Sequence, residues 1–229
     1  MLEAVLLDND VILKMCAYAS AARLLQLTTL ANQPPVILEV ASFALRSQIQ
    51  RSRSISDKEG AASQLALVLS TVHKVEPTDQ EVGLAAELEE QAQQRALELD
   101  PGESQLVAVL LVRGSPLLIT GDKRALNALA SVAPKEAGGR MACLEQAMAS
   151  AIAGEGNLAA LRSAVCACPQ IDRAVTNCFA CSSESVTIEA VMEGLRSYVG
   201  ALRAQAGRLL IGSDDLVAIP SQEDRVRFV

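Results

Sequence analysis

Short apolar runs that stop at acidic or turn residues, separated by longer stretches of helical periodicity, constrain this chain more than any other feature. Glu3 to Leu7 is one such run, bounded by Asp8-Asn9-Asp10. Leu117-Leu118-Ile119-Thr120, ended by Gly121-Asp122, is another, and Val72 to Glu76, ended by Pro77, reads as a further short strand between them. Apolar runs of this length, closed by turn residues, suit buried strands. Between them, helical patterns run over about Val11 to Leu30, from Val36 to Gln50 after the Pro34-Pro35 breaker, and from Asp57 through Leu69, with Arg51 to Ser56 as a Ser- and Arg-rich loop. Strands alternating with helices predict an α/β fold, a parallel sheet flanked by helices.

Helix boundaries are marked in the same way. Thr78 or Asp79 caps a helix carrying Val82, Ala86, Leu88 and Leu97. Asp100-Pro101-Gly102-Glu103 is a compact start signal, with Asp as N-cap, Pro at the first helical position and Glu at the third. The helix it opens, Leu106 to Val112, is apolar nearly all round, which demands deep burial, and Gly114 stops it. Another helix runs from Lys123 to Leu129. Gly138-Gly139 marks an expected boundary between a domain over 1–138 and a helical C-terminal region over 139–229. The latter comprises Met141 to Ile152, Leu158 to Cys168, an amphipathic stretch from Val186 to Leu210, and a charged tail from Ser221. The amphipathic stretch has two uses, a partner or homodimer surface or packing onto the first domain, and such faces usually build cores.

Half of the 229 residues are apolar but only 2% are aromatic and Trp is absent, so the expected core is Leu, Val, Ile and Ala. A net charge of −7 with pI near 4.9 excludes a protein that holds nucleic acid by a broad positive field. An acidic pocket neutralised by a divalent cation remains compatible with phosphate. No basic n-region precedes an apolar run and no apolar stretch reaches about 18 residues, so no membrane association is expected and the chain reads as soluble and cytoplasmic. The six Cys then fit free thiols or metal ligands better than a disulfide framework.

Asp8 and Asp122 each follow an apolar strand, so a parallel sheet can bring both to one edge. Glu103 stands in the first turn of a buried helix. Glu39 interrupts Val36-Ile37-Leu38 and Val40-Ala41, where a lone charge would be costly without a partner. The segments LLDNDVIL, VILEV, LDPGESQLVAVLL and LLITGDKRAL resemble, in order, the four acidic motifs of the PIN-domain family. VHKVEPTDQEVGLAAEL is similar to the strand and helix before that family's third motif. The match covers roughly residues 1–140.

The resemblance implies a PIN-like fold, an endoribonuclease activity with Mg²⁺ or Mn²⁺ as cofactor, and Asp8, Glu39, Glu103 and Asp122 as the metal-binding and catalytic quartet. Asp10 would serve as a further ligand or hold a water. Many members, the VapC-type toxins among them, are RNases, so the expected partners are an RNA substrate and a neutralising antitoxin or other protein. Hard divalent cations take oxygen ligands and activate water, so no Ser, Cys or His nucleophile is required, and His73 stands alone. Where some members carry further acids, this chain has Lys123-Arg124. These two, with Arg46, Arg51 and Arg53, read either as phosphate contacts or as solvated charge.

Each acid also has a plainer role. Asp8 to Asp10 can cap a helix, Glu103 can complete a capping box, and Asp122 can serve a turn. The rival enzyme class is a haloacid-dehalogenase-like phosphatase, because LLDND resembles its D-x-D and ITGD its later acidic motif. That class expects Thr or Ser soon after the second Asp, where Val11 and Ile12 follow, and leaves Glu39 and Glu103 without a role. The non-enzymatic rival is a PIN-like scaffold that binds RNA or protein without cutting. Cys166, Cys168, Cys178 and Cys181 form C-x-C and C-x-x-C, which reads either as a structural zinc site or as small thiols in buried helices.

Overall fold

A computed structural model of the chain describes residues 3–155 and 158–216, so the expected tail from Ser221 lies outside the described residues. Five short strands, β1 (Leu6–Leu7), β2 (Val36–Leu38), β3 (His73–Val75), β4 (Leu118–Thr120) and β5 (Met141–Cys143), pair in parallel in the order β3-β2-β1-β4-β5. Around them lie α1 (Asn9–Ala17), α2 (Ala21–Thr28), α3 (Ala41–Arg51), α4 (Lys58–Thr71), α5 (Asp79–Gln94), α6 (Pro101–Arg113), α7 (Lys123–Val132), α8 (Leu144–Glu155), α9 (Leu158–Ala167), α10 (Arg173–Cys178) and α11 (Ile188–Ala206). The expected α/β class, a parallel sheet between helices, is what forms.

Alternate strand residues feed opposite layers, as a period of two requires. Val5, Leu7, Ile37, Leu117, Ile119 and Ala142 join one apolar cluster with residues of α1 to α4 and α8. Leu6, Val36, Leu38, Leu118, Met141 and Cys143 join the other, with α5, α6 and α7. Helix α11 contributes Val191 and Leu195 to the first cluster and Val199, Leu202 and Ala206 to the second, so it spans both layers. Beyond it, the Ile211 N–H donates to the Met141 carbonyl at 2.8 Å and closes the outer edge of β5. An unpaired edge is a liability that the chain thereby covers.

Local signals act where expected. Asp57 accepts from the Gly60 N–H and caps α4, Thr78 and Glu81 form a capping box on α5, and Asp100 and Glu103 form another on α6. Gly114 ends α6 in the left-handed region at φ 70°.

Two expectations fail for one reason. Val36 to Leu38 is a strand rather than the first turn of the helix expected over Val36 to Gln50, and Met141 to Cys143 is a strand rather than the start of a helix through Ile152. In both places three apolar residues pass almost directly into a helix, so periodicity alone cannot separate the two states. The second correction moves the boundary. The sheet continues past residue 138, and the helices beyond it share the core, with Val165, Phe179 and Val191 packed in the same cluster as Leu7 and Ile12. The pattern over Val11 to Leu30 is also divided, because Ala19 takes φ 52° between α1 and α2.

The cysteines depart from expectation. Cys166 and Cys181 are joined in a disulfide across a sequence separation of 15, which removes two thiolates from any four-thiolate zinc site and overturns the reading of all six as free thiols or ligands. Cys168 is buried, with its Sγ 3.1 Å from the Ser56 hydroxyl, and Cys178 is half-buried at the end of α10. No helix among the described residues is long and apolar enough to cross a membrane.

Candidate functional site

The strand order places a topological switch between β1 and β4, since the chain builds outward from β1 through β2 and β3 on one side and through β4 and β5 on the other. Crevices in open parallel sheets form at the carboxyl ends of such a pair. Asp8 directly follows β1 and Asp122 lies two residues past β4. The Asp8 N–H donates to the Ile119 carbonyl at 3.0 Å, which locks the two strand ends together.

A cavity of about 340 Å³ opens at this edge, lined by Asp8, Asn9, Asp10, Leu13, Gln48, Asp100, Pro101, Gly102, Glu103 and Asp122. A second, of about 650 Å³, shares Asp100, Glu103 and Asp122 and extends past Glu98 and Arg124 toward α5. Three of the four expected acids, together with Asp10, therefore meet at one cavity. Glu39 does not line either one. It sits exposed in the turn after β2, its backbone bonded to Val75, so the desolvation cost that seemed to demand a partner does not arise. On that side the wall is Gln48 of α3.

The plainer roles are filled for two acids. One Glu103 oxygen accepts from the Asp100 N–H at 3.1 Å, completing the capping box. Asp122 caps α7 through the Arg124 and Ala125 N–H groups and pairs with the Arg124 guanidinium at 3.0 Å. Asp8 differs. It occupies the N-cap position of α1 but makes no capping bond with its side chain. Its carboxylate instead accepts from the Thr120 hydroxyl at 2.9 Å, and that hydroxyl in turn accepts from the Asp122 N–H at 3.1 Å. Thr120 thus ties the two acids to one another, a role hidden in the sequence as the last apolar-run residue of β4.

The electrostatics follow from burial. Burial, reinforced by the Asp10 charge, pushes the Asp8 carboxyl up to about 7 against the Thr120 hydrogen bond. Burial pushes Glu103 up to about 8, with the Asp100, Asp122 and Asp8 charges adding to it against a backbone bond from Asp100. Burial acts upward on Asp122 as well, but the Arg124 guanidinium and the two backbone N–H donors outweigh it and hold that carboxyl below its usual range.

A stability prediction arises here. In the unfolded chain Asp8 and Glu103 ionise near pH 4, whereas in the folded state they hold protons to about 7 and 8. The folded state then binds more protons across that window, so stability falls as pH rises through it. Chelator-treated protein is expected to melt several degrees lower at pH 8 than at pH 5, and Asp8→Asn is expected to shrink that drop. A melting temperature that stays flat or rises between pH 5 and pH 8 contradicts the burial of these charges.

Beside the cavity runs a chain of buried ion pairs. Lys14 meets Asp10 at 2.5 Å and Asp172 at 2.8 Å, and Lys123 meets Asp172 at 2.8 Å and Glu145 at 3.0 Å. Burial acts against both charges of the Lys123–Asp172 pair, but the Lys123 and Lys14 ammoniums hold Asp172 down to about 2, and Glu145 and Asp172 hold Lys123 above its usual value. Lys123 is therefore committed to the interior and does not serve as the phosphate contact its position in the sequence suggested. A Cβ at Gly121 would meet the Asp10 carboxylate, so a side chain there requires that carboxylate to shift from its place beside Lys14. Arg46, Arg51 and Arg53 are exposed.

Among the described residues no group of three His, Cys, Asp or Glu side chains is already arranged to hold a metal ion. The donors offered are all oxygen, and a hard cation such as Mg²⁺ is held by one or two carboxylates with waters completing its shell. The residues present fit that mode. Comparison with family models, curated proteins and solved structures returned no match.

Proposed function

We propose that this chain is a metal-dependent endoribonuclease of the PIN-like kind, hydrolysing RNA phosphodiester bonds in the cleft beyond β1 and β4 with Mg²⁺ or Mn²⁺ as cofactor. The observation that carries the reading is an imbalance of charge. Asp8, Asp10, Asp100, Glu103 and Asp122 line one small cavity; Lys14 and Arg124 pair with Asp10 and Asp122 from outside its wall, but Asp8 and Glu103, the two most buried, have no basic partner, and burial favours their protonated forms unless a cation relieves them.

Asp8 and Glu103 are the ligands of this reading, since both are buried acids in the wall of the cavity and neither forms a salt bridge. Thr120 fixes the rotamer of Asp8 and couples it to the cap of α7. Asp10, clamped by Lys14, adds charge at the rim. Asp122, already neutralised by Arg124, adds a ligand only when that pair opens, which releases the guanidinium toward a phosphate. A divalent cation held here supplies an activated water and stabilises the leaving oxygen. The resemblance to VapC-type toxins extends the reading to the toxin of a toxin–antitoxin pair acting in the cytoplasm, with a neutralising protein as partner.

The test is incubation of the full chain with end-labelled mixed-sequence RNA and Mn²⁺. The expected result is a set of internal cleavage products, lost in EDTA and restored by excess Mn²⁺, with p-nitrophenyl phosphate left intact. Hydrolysis of the small ester with the RNA uncut would assign the site to a phosphatase instead, and RNA retained but never cut would make the fold a scaffold.

A further inference from the structure

We propose that Lys14 is a positioning residue of the cleft, anchored by Asp172 so that its ammonium stays on Asp10 and bars a second divalent cation; this rests on the metal-dependent reading above. Asp10 lines the cavity, and its charge is close enough to bear on Asp8, so by place and donor type it belongs to the cation site. One of its oxygens is nonetheless committed. Lys14, one turn along α1 from Asp10, meets that oxygen at 2.5 Å. The same oxygen occupies the space beside Gly121, where a Cβ would meet it.

The ammonium is not free to withdraw. The Lys14 side chain is only 10% exposed, and its other partner is Asp172, 2.8 Å away and itself buried. Asp172 is fixed in turn. One of its oxygens caps α10 through the Ala174 and Val175 N–H groups, and the other takes both Lys14 and Lys123. It also lies in the segment that the Cys166–Cys181 bond closes. Because Asp172 is shared with Lys123, it does not neutralise Lys14 by itself, and Asp10 supplies the remainder. The helices beyond the PIN resemblance therefore act on the cavity through this lysine.

Charge then decides the number of ions. A dication bound through the other oxygen of Asp10 would lie beside a desolvated ammonium, and like charges repel most where water is excluded. Asp122 is engaged in the same way by Arg124. Asp8 and Glu103 are left as the buried acids of the wall without a basic partner, and two carboxylates balance one dication.

Electron paramagnetic resonance of the full chain with Mn²⁺ counts the bound ions without recourse to activity, because bound manganese leaves the sharp spectrum of the free ion. The wild type is expected to hold a single ion at saturation. Lys14→Gln keeps an N–H donor but loses the charge, and it is expected to hold two, the second being lost again when Asp10→Asn is added. Lys14→Met, neutral and of similar length, is expected to give the same count as Lys14→Gln by an independent change. Lys14→Arg restores the charge and is expected to hold one. A lysine with only a structural role would shift the melting of these variants and leave the count alone. Two ions on the wild type, or a single ion on the folded neutral variants, overturns the proposal. The two claims fail separately. A wild-type chain that cuts RNA with two ions bound keeps the nuclease and loses the role of Lys14. A count that rises from one to two in Lys14→Gln, in a chain that cuts no RNA, keeps the role of Lys14 and loses the nuclease.

Discussion

Asp8→Asn is expected to lower Mn²⁺-dependent RNA cleavage by at least about a thousandfold, equivalent to roughly 4 kcal/mol of transition-state stabilisation, while the protein stays folded. An amide is a poor ligand for a hard cation, and Asp8 is the acid whose side chain is not spent on capping a helix. The Thr120 hydroxyl can still donate to the amide oxygen, so geometry at the strand end is kept. The amide also imitates the protonated carboxyl that burial already favours, so chelator-treated Asp8→Asn is expected to melt no lower than wild type at pH 8. Loss of cleavage with unchanged melting isolates the chemistry from the fold. Undiminished cleavage by Asp8→Asn removes Asp8 from the mechanism.

The second large effect is on stability. Asp172→Ala strips two buried ammoniums, Lys14 and Lys123, of the counterion they share, and it removes the cap of α10 supplied through the Ala174 and Val175 N–H groups. Removing one member of a buried ion pair costs about 3–5 kcal/mol, and the remaining contacts of Lys14 to Asp10 and Lys123 to Glu145 place the expected loss near the lower figure. For a chain of this size that corresponds to a fall of roughly 10 °C in melting temperature. Asp172→Asn keeps an oxygen for the cap while removing the charge, so it is expected to fall between wild type and Asp172→Ala. Arg124→Ala, which frees Glu98 and Asp122 from an exposed guanidinium, is expected to leave melting nearly unchanged. Calorimetry of the three variants checks the ranking, and an Asp172→Ala protein as stable as wild type would mean that the network does not join the C-terminal helices to α1 and α7.

What could be read from the sequence divides along physical lines. Asp8, Glu103 and Asp122 were visible because local rules place them: a short apolar run ends on an acid, or an N-cap is followed three residues later by Glu. Parallel strand order then does the rest by bringing their carboxyl ends to one edge. Glu39 was misjudged because its apolar neighbours belong to different elements, Leu38 to a strand and Val40 to an exposed turn, so the charge never leaves water. Strands β2 and β5 were hidden because three apolar residues running into a helix look like the helix itself.

The Cys166–Cys181 bond and the Lys14–Asp172 pair, 158 residues apart, are tertiary facts without a local signature. Thr120 and Gln48 were missed for the opposite reason. As a β-branched strand residue and a polar helix residue they were unremarkable in type, and only their positions at the cavity gave them roles.

The central claim is that Asp8 and Glu103 share a divalent cation at the carboxyl ends of β1 and β4, and anomalous diffraction from crystals grown with Mn²⁺ tests it directly. The account predicts a manganese peak at bonding distance, about 2 Å, from a carboxylate oxygen of each. Manganese bound elsewhere, with both carboxylates uncoordinated at saturating Mn²⁺, would contradict it.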